Sequence, residues 1–177
     1  MSWQTGMTLT VTFIAALTDL RSGKVPNTLT YPAALLGLLL ILLISPQDFA
    51  GSVAGLLGTL ALYLLLHQFA GLGAGDAKLM AAVGALKGFS FALYASFYIL
   101  CTGLIAGIAV LAWTGCLANS LRWVFRTLAG TVVPGLRPTP GSTRLHAMPF
   151  APLIFVGIAW TTWLEYSGGP IVLQFWN

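Results

Sequence analysis

Two of the four acidic residues in this chain of 177 residues lie where carboxylates could carry out chemistry. Asp19 lies in the stretch ALTDLRSGKVPN, at the end of an apolar segment, and Asp76 lies in GLGAGDAKLM, directly before another. Two carboxylates held close together share one proton, because ionisation of the first disfavours ionisation of the second. The ionised member can activate water while the protonated member donates to a carbonyl oxygen, which is the chemistry of aspartic peptide hydrolysis.

Each acid also has a simpler interpretation, and at this point both interpretations stay open. Asp19 could be an interfacial residue paired with Arg21 or Lys24. Asp76 could be a helix N-cap, whose side chain accepts from free N–H groups of the first turn. The other two acids, Asp48 and Glu165, are typical of a solvated turn and of the outer end of a membrane segment.

A cap explains Asp76 but does not explain the glycines before it. Gly71, Gly73 and Gly75 fall within five residues. Glycine permits a positive φ and lets another stretch of backbone approach closely. The spacing therefore predicts a loop with room for a visiting chain, and an extended peptide strand is one candidate.

The surroundings of these residues are strongly apolar. The chain is 58% apolar and only 7% charged, whereas a soluble domain carries about 25% charged residues. This composition excludes an ordinary soluble globule and predicts an all-α membrane protein.

Six apolar segments predict a polytopic bundle of about six transmembrane helices in a single domain, residues 1–177. The fourth is shorter than the roughly 20 residues of a membrane span, which would leave the GLGAGD loop at membrane depth. The segments are Trp3–Leu20, Thr28–Ile44, Phe49–Ala70, the stretch from Asp76 to about Gly88, Phe91–Leu117 and Met148–Tyr166.

The basic residues predict the orientation of the bundle. Seven of the eight fall in the stretches 21–27, 71–78 and 118–147, which the positive-inside rule assigns to the cytoplasm. Both termini are then outside, the long loop at about 118–147 is cytoplasmic, and Asp19 and Asp76 share the cytoplasmic side. Because topology accounts for the net charge of +4, membrane lipid is an expected partner and nucleic acid is not.

Two motifs together resemble a known family. The first is DxRxxxVPN at the end of the first segment, and the second is GxGDxKL before the fourth. This pair is similar to that of the type IV prepilin peptidases, which are GxGD-type intramembrane aspartic proteases of prokaryotes. The resemblance implies that Asp19 and Asp76 are the catalytic pair. It implies supporting or substrate-positioning roles for Arg21, Pro26, Asn27, Gly73, Gly75 and Lys78.

The resemblance also implies an activity and a location. Such enzymes remove the short basic leader from prepilins or pilin-like proteins, before a hydrophobic helix, at the cytoplasmic face of the inner membrane. No metal or organic cofactor is expected. Larger members carry an N-terminal insert with Cys-x-x-Cys motifs linked to methyltransfer; those motifs are absent here, so methyltransferase activity is not expected. The compact form resembles the peptidases of Flp-type (Tad) pili, and archaeal preflagellin peptidases share the motif pair.

Rival functions use some of the same residues. A small transporter could employ Asp19 and Asp76 as a proton relay, since acids inside membranes commonly serve this purpose. A GAGD string also occurs in ribokinase-like sugar kinases, but those are soluble α/β domains, and a phosphate loop needs a strand before its helix. A non-catalytic scaffold would leave both acids unexplained.

Overall fold

Helices make up every regular element that the computed structural model describes, over residues 2–70, 73–113, 115 and 150–168. The all-α fold class is thereby confirmed. The predicted cytoplasmic loop at about 118–147 lies outside the described residues. In chain order the elements are α1 (Trp3–Ser22), α2 (Asn27–Ile44), a 3₁₀ turn (Pro46–Asp48), α3 (Phe49–Ala70), α4 (Ala74–Trp113) and α5 (Ala151–Tyr166).

Three stretches in the described part are long and apolar enough to cross a membrane: Asn27–Ile44, Pro46–Gln68 and Ala74–Trp113. Helix α5 has 16 residues, and the threonines of α1 make it less apolar than α2 or α3. The membrane character of the chain is therefore supported. The count of six spans, the placement of both termini outside and the single domain stay predictions.

Helix α1 satisfies its own polar groups and then stops soon after Asp19. The hydroxyl of Thr8 donates to the Gln4 carbonyl and that of Thr12 to the Thr8 carbonyl, each at 2.8 Å, so these buried hydroxyls need no water. The helix ends because Gly23 adopts φ 64°, a left-handed conformation that favours glycine. The Gly23 N–H donates to the Asp19 carbonyl at 2.7 Å.

Helix α4 is interrupted at Gly88, where the backbone adopts φ 81° and ψ 171°. Forty uninterrupted helical residues would span about 60 Å, twice the apolar thickness of a bilayer. The break divides the helix into residues 74–87 and 89–113. It agrees with the predicted end of the fourth apolar segment near Gly88.

The core lies around the first part of α4. Every residue from Leu79 to Leu86 is buried, whereas α2 and α3 carry many exposed leucines. Contacts group Met1–Thr102 with Pro149–Asn177 as one compact unit and Gly103–Met148 as another. The core and all of the contacts below belong to the first unit.

Helices α3 and α4 approach each other at a pair of glycines. A side chain added at Gly84 would overlap the Gly55 carbonyl group of α3, and one added at Gly55 would overlap the backbone of Gly84 and Gly88. Backbones can approach this closely only where both side chains are absent, which is a common way for helices to pack in membranes. The glycines thus hold the start of α4 against α3.

Replacement of Gly84 by alanine is expected to destabilise the bundle by about 1–3 kcal/mol, because the backbone of α3 cannot move aside cheaply. Thermal or denaturant unfolding in detergent measures the loss. Gly107→Ala is the matched control, since Gly107 lies in the same helix and has no atom within 4 Å of an added Cβ. Equal stability of the two variants would contradict this account of the packing.

Candidate active site

Asp19 and Asp76 come together at one end of the bundle. Asp19 lies in the last turn of α1 and Asp76 in the first turn of α4. Each is only 7% exposed, and both face one cavity of about 290 Å³. The cavity is lined by Asp19, Gly23, Lys24, Val25, Asn27, Gly73, Ala74, Gly75, Asp76 and Lys78.

The carboxylate of Asp19 is held by the start of α5. The backbone N–H of Ala151 donates to Asp19 Oδ2 at 3.0 Å in a buried setting. The first N–H groups of a helix have no partner inside the helix, so Asp19 supplies one of them with an acceptor. Asp19 makes no ion pair with Arg21 or Lys24 in the described structure, so the simpler interpretation of Asp19 is wrong.

Asp76 lies inside α4 and not before it. The helix begins at Ala74, which makes Asp76 its third residue; the expectation of an N-cap is therefore wrong. Gly73 precedes the helix, and its carbonyl accepts from the Asp76 N–H at 3.1 Å. A Cβ added at Gly73 would lie 2.8 Å from Asp76 Oδ2, so the carboxylate folds back over the glycine.

The glycines of the second motif make room for the protein's own groups. A Cβ added at Gly75 would lie 3.2 Å from the Cβ of Val25, in the loop between α1 and α2. Neither Gly73 nor Gly75 has a positive φ, and Gly71 lies outside the described residues. In the described structure the space beside Gly75 is taken by the loop between α1 and α2, and the space beside Gly73 by the Asp76 carboxylate. Room for a visiting peptide stays a prediction.

Lys78 and Asn27 join the two motifs across the cavity. Lys78 Nζ donates to Asn27 Oδ1 at 3.0 Å and lies 5.3 Å from the centre of the Tyr31 ring. Asn27 is the first residue of α2, so this contact ties the start of α2 to the start of α4. Lys78 therefore positions the loop beside the two aspartates.

The remaining supporting residues of the first motif lie away from the cavity. Pro26 is the N-cap residue of α2, with φ −73°, and its ring favours this extended start. Arg21 is exposed in the last turn of α1. Neither side chain lines the cavity. Pro26 shapes the turn before α2, and a substrate-positioning role for Arg21 stays a prediction.

Loss of the Lys78–Asn27 contact is expected to lower moderately the rate of the peptide hydrolysis that the two aspartates are expected to carry out. A hydrogen bond of this kind contributes about 0.5–1.5 kcal/mol, which corresponds to roughly 2–12-fold in rate. Lys78→Met and Asn27→Ala should each show a loss of this size, and the double variant should lose little more than the worse single variant. Asp48→Asn is the control, because it removes the charge of an exposed side chain that lies outside the cavity. Additive losses in the double variant would contradict the contact.

The family of the chain follows from a stretch of sequence that includes both aspartate motifs. Residues 7–108, more than half of the chain, match the type IV leader peptidase family. The chain belongs to this family. No curated protein and no solved structure matches it significantly.

The match to the type IV leader peptidase family contains both motifs, and it ends within α4. Ala151 lies beyond it, in α5, and its role was missed from the sequence because a backbone donor leaves no side-chain signature. The only available signal is the pair of prolines in MPFAP, residues 148–152, which is typical of a helix start. Gly23 and Val25 were likewise missed as cavity residues of this leader peptidase.

Proposed function

We propose that this member of the leader peptidase family is an intramembrane aspartic endopeptidase that removes the basic leader from type IV prepilins or pilin-like proteins. Family membership supports protease activity. The observation that carries the aspartic mechanism is the shared cavity: Asp19 and Asp76, 57 residues apart in sequence, are its two carboxylates. A cavity with two buried carboxylates suits the hydrolysis of a peptide bond by one water molecule.

The reaction proceeds in two steps. The ionised carboxylate takes a proton from water while the water oxygen bonds to the scissile carbonyl carbon, and the protonated carboxyl donates its proton to the carbonyl oxygen. The resulting diol collapses as the C–N bond breaks. The first carboxyl, now protonated, gives its proton to the leaving nitrogen, and the second recovers one from a diol hydroxyl. At the end of the reaction Asp19 and Asp76 have recovered their original protonation states, and they act as a coupled pair.

The surroundings of the pair support this chemistry. The Ala151 N–H holds Asp19 in place, and the fold of Asp76 over Gly73 leaves its carboxylate in the cavity. Preorganised groups of this kind need no rearrangement during reaction, which lowers the barrier.

We propose that the aspartate end of the bundle faces the cytoplasm of a prokaryotic inner membrane. Arg21, Lys24 and Lys78 all lie at this end. Lys87 is the basic residue that the described structure holds at the other end, and it is neutralised by Glu165. This distribution supports the cytoplasmic assignment by the positive-inside rule. A prepilin with its basic leader inside would then present its junction to the cavity.

Co-expression with a candidate prepilin tests the proposal. Loss of the leader should appear as a mobility shift on a gel, with a new N-terminus at the junction by mass spectrometry. The family resemblance implies a cut at a glycine before the hydrophobic helix, so a prepilin with a bulky residue in place of that glycine serves as the substrate control. Proton-coupled transport without any cleavage would instead favour the proton-relay function of the same two aspartates.

A further inference from the structure

A second cluster of polar contacts lies at the end of the bundle opposite the aspartates. Lys87 Nζ donates to Thr5 Oγ1 at 3.0 Å and to the Glu165 carboxylate at 3.0 and 2.8 Å. The Lys87 side chain is only 6% exposed, and its ammonium lies 4.8 Å from the centre of the Phe91 ring. We call Thr5, Lys87 and Glu165 the distal latch.

The distal latch joins three of the helices that contribute to the active site. Helix α1 carries Thr5 and Asp19, α4 carries Asp76 and Lys87, and α5 carries Glu165 together with the N–H of Ala151. In α1 and α5 the latch and the aspartate site lie at opposite ends of the helix, and in α4 they lie at opposite ends of residues 74–87.

The distance between the latch and the aspartate site is similar along each of the three helices. Thr5 and Asp19 lie 14 residues apart, and so do Ala151 and Glu165, which places both pairs about 21 Å apart along their helices. Asp76 and Lys87 are 11 residues apart, or about 16 Å, and the four-carbon stem of the lysine supplies the remaining reach. At the latch end hydrogen bonds join all three helices, and at the aspartate end the Ala151–Asp19 hydrogen bond joins α5 to α1.

Apolar packing alone fixes the axial position of membrane helices poorly. Lipid is as apolar as the helix faces, so sliding of one helix along another changes little buried area. The helix is also interrupted at Gly88, directly after Lys87, so residues 74–87 form a short helical segment of their own. The directional contacts of Lys87 tie this short segment to α1 and α5, in addition to the packing of Gly84 against Gly55 of α3.

We propose that the distal latch sets the axial register of α1, α4 and α5 and so positions Asp19 and Asp76 for catalysis. Thr5, Lys87 and Glu165 are positioning residues, because they lie at the far end of the helices from the reacting groups. This inference rests on the proposed peptidase function. It requires that loss of the latch lowers the rate of the chemical step and not the affinity for substrate.

The surroundings of the latch indicate which substitution removes the ion pair without leaving a buried, unpaired charge. A cavity of about 640 Å³ borders Lys87 and Glu165, and the Glu165 side chain is 49% exposed. Water can therefore hydrate Glu165 when Lys87→Met removes its partner. In Glu165→Gln the charge of the enclosed Lys87 loses its counter-charge, so this variant is expected to be the more damaging one.

Kinetics of leader cleavage test the positioning role. We expect Lys87→Met to lower kcat about tenfold with KM within about twofold, Glu165→Gln to lower kcat further, and the double variant to be no worse than Glu165→Gln. The matched control is Ser96→Ala, which removes the buried hydrogen bond from Tyr63 at 3.2 Å without touching the latch. Unchanged kcat in Lys87→Met would overturn the proposal. So would a loss of kcat equal to that of Ser96→Ala at an equal loss of Tm.

A distance measurement tests the latch independently of peptidase activity. Spin labels at Leu20 in α1 and Trp160 in α5, which are 62% and 51% exposed, report the register of the two helices by pulsed electron resonance. Lys87→Met should broaden the distance distribution or shift it by about the 1.5 Å rise of one residue. An unchanged distribution would overturn the latch. If the unaltered protein cleaves no prepilin, the proposed function fails, while the label distances still decide the latch.

Discussion

Asp19→Asn and Asp76→Asn are each expected to abolish leader cleavage. Asparagine preserves the size of the side chain but can neither accept the proton of water nor donate one to the carbonyl oxygen. General acid–base catalysis contributes about 10²–10⁴-fold for each participating group, so each variant should lose at least about 100-fold. The measurement is the rate of leader loss from a prepilin in membranes or detergent.

The matched control for these variants is Asp48→Asn. Asp48 is exposed in the 3₁₀ turn and lies outside the aspartate cavity, so its replacement should leave the rate unchanged. Abundance in the membrane fraction and thermal stability show whether each variant still inserts and folds. Cleavage by Asp19→Asn or Asp76→Asn at a rate within about tenfold of the unaltered protein would rule out the paired mechanism.

Ala151→Leu is expected to reduce the rate of cleavage by roughly tenfold or more. Ala151 is completely buried at the start of α5, so a larger side chain must push the helix end away from Asp19. The hydrogen bond from the Ala151 N–H to Asp19 Oδ2 is then lengthened or lost. Hydrogen bonds to charged groups are worth about 1.5–3 kcal/mol, and each 1.36 kcal/mol corresponds to a factor of ten in rate.

The control for Ala151→Leu is Val156→Leu, which enlarges a half-exposed side chain of the same helix. It should leave both the rate and the stability close to those of the unaltered protein. Ala151→Leu should lower kcat more than its loss of stability accounts for. A variant that is destabilised but fully active would show that the start of α5 supports the fold and does not position Asp19.

The two ends of α5 therefore contribute in different ways. Its first residue contacts Asp19 directly, whereas Glu165 near its other end acts through Lys87 at a distance of about four helical turns. Substitutions at Ala151 and at Glu165 are expected to converge on the same step of the reaction. Comparison of their effects on kcat distinguishes local support of the Asp19 carboxylate from control of the axial position of the helices.

Much of this protein follows from residue types alone. The scarcity of charge and the six apolar segments predict an all-α membrane protein, because a helix satisfies its own backbone in lipid. The four acids are so few that Asp19 and Asp76 stand out, and their motifs indicate the leader peptidase family, which the match over residues 7–108 confirms. The break near Gly88 is also visible in the sequence, as the end of a segment too short to span.

Only the tertiary structure decided which groups surround the two acids. Contacts between residues far apart in sequence are invisible to local patterns, and the Ala151 N–H, 132 positions from Asp19, is a backbone group that any residue but proline carries. The neighbours of Gly73 and Gly75 and the partner of Lys78 could not be read from the sequence for the same reason. The pairing of Lys87 with Glu165 also depends on where three helices end in space. Residue types thus determined the chemistry, and helix packing determined the geometry in which that chemistry can occur.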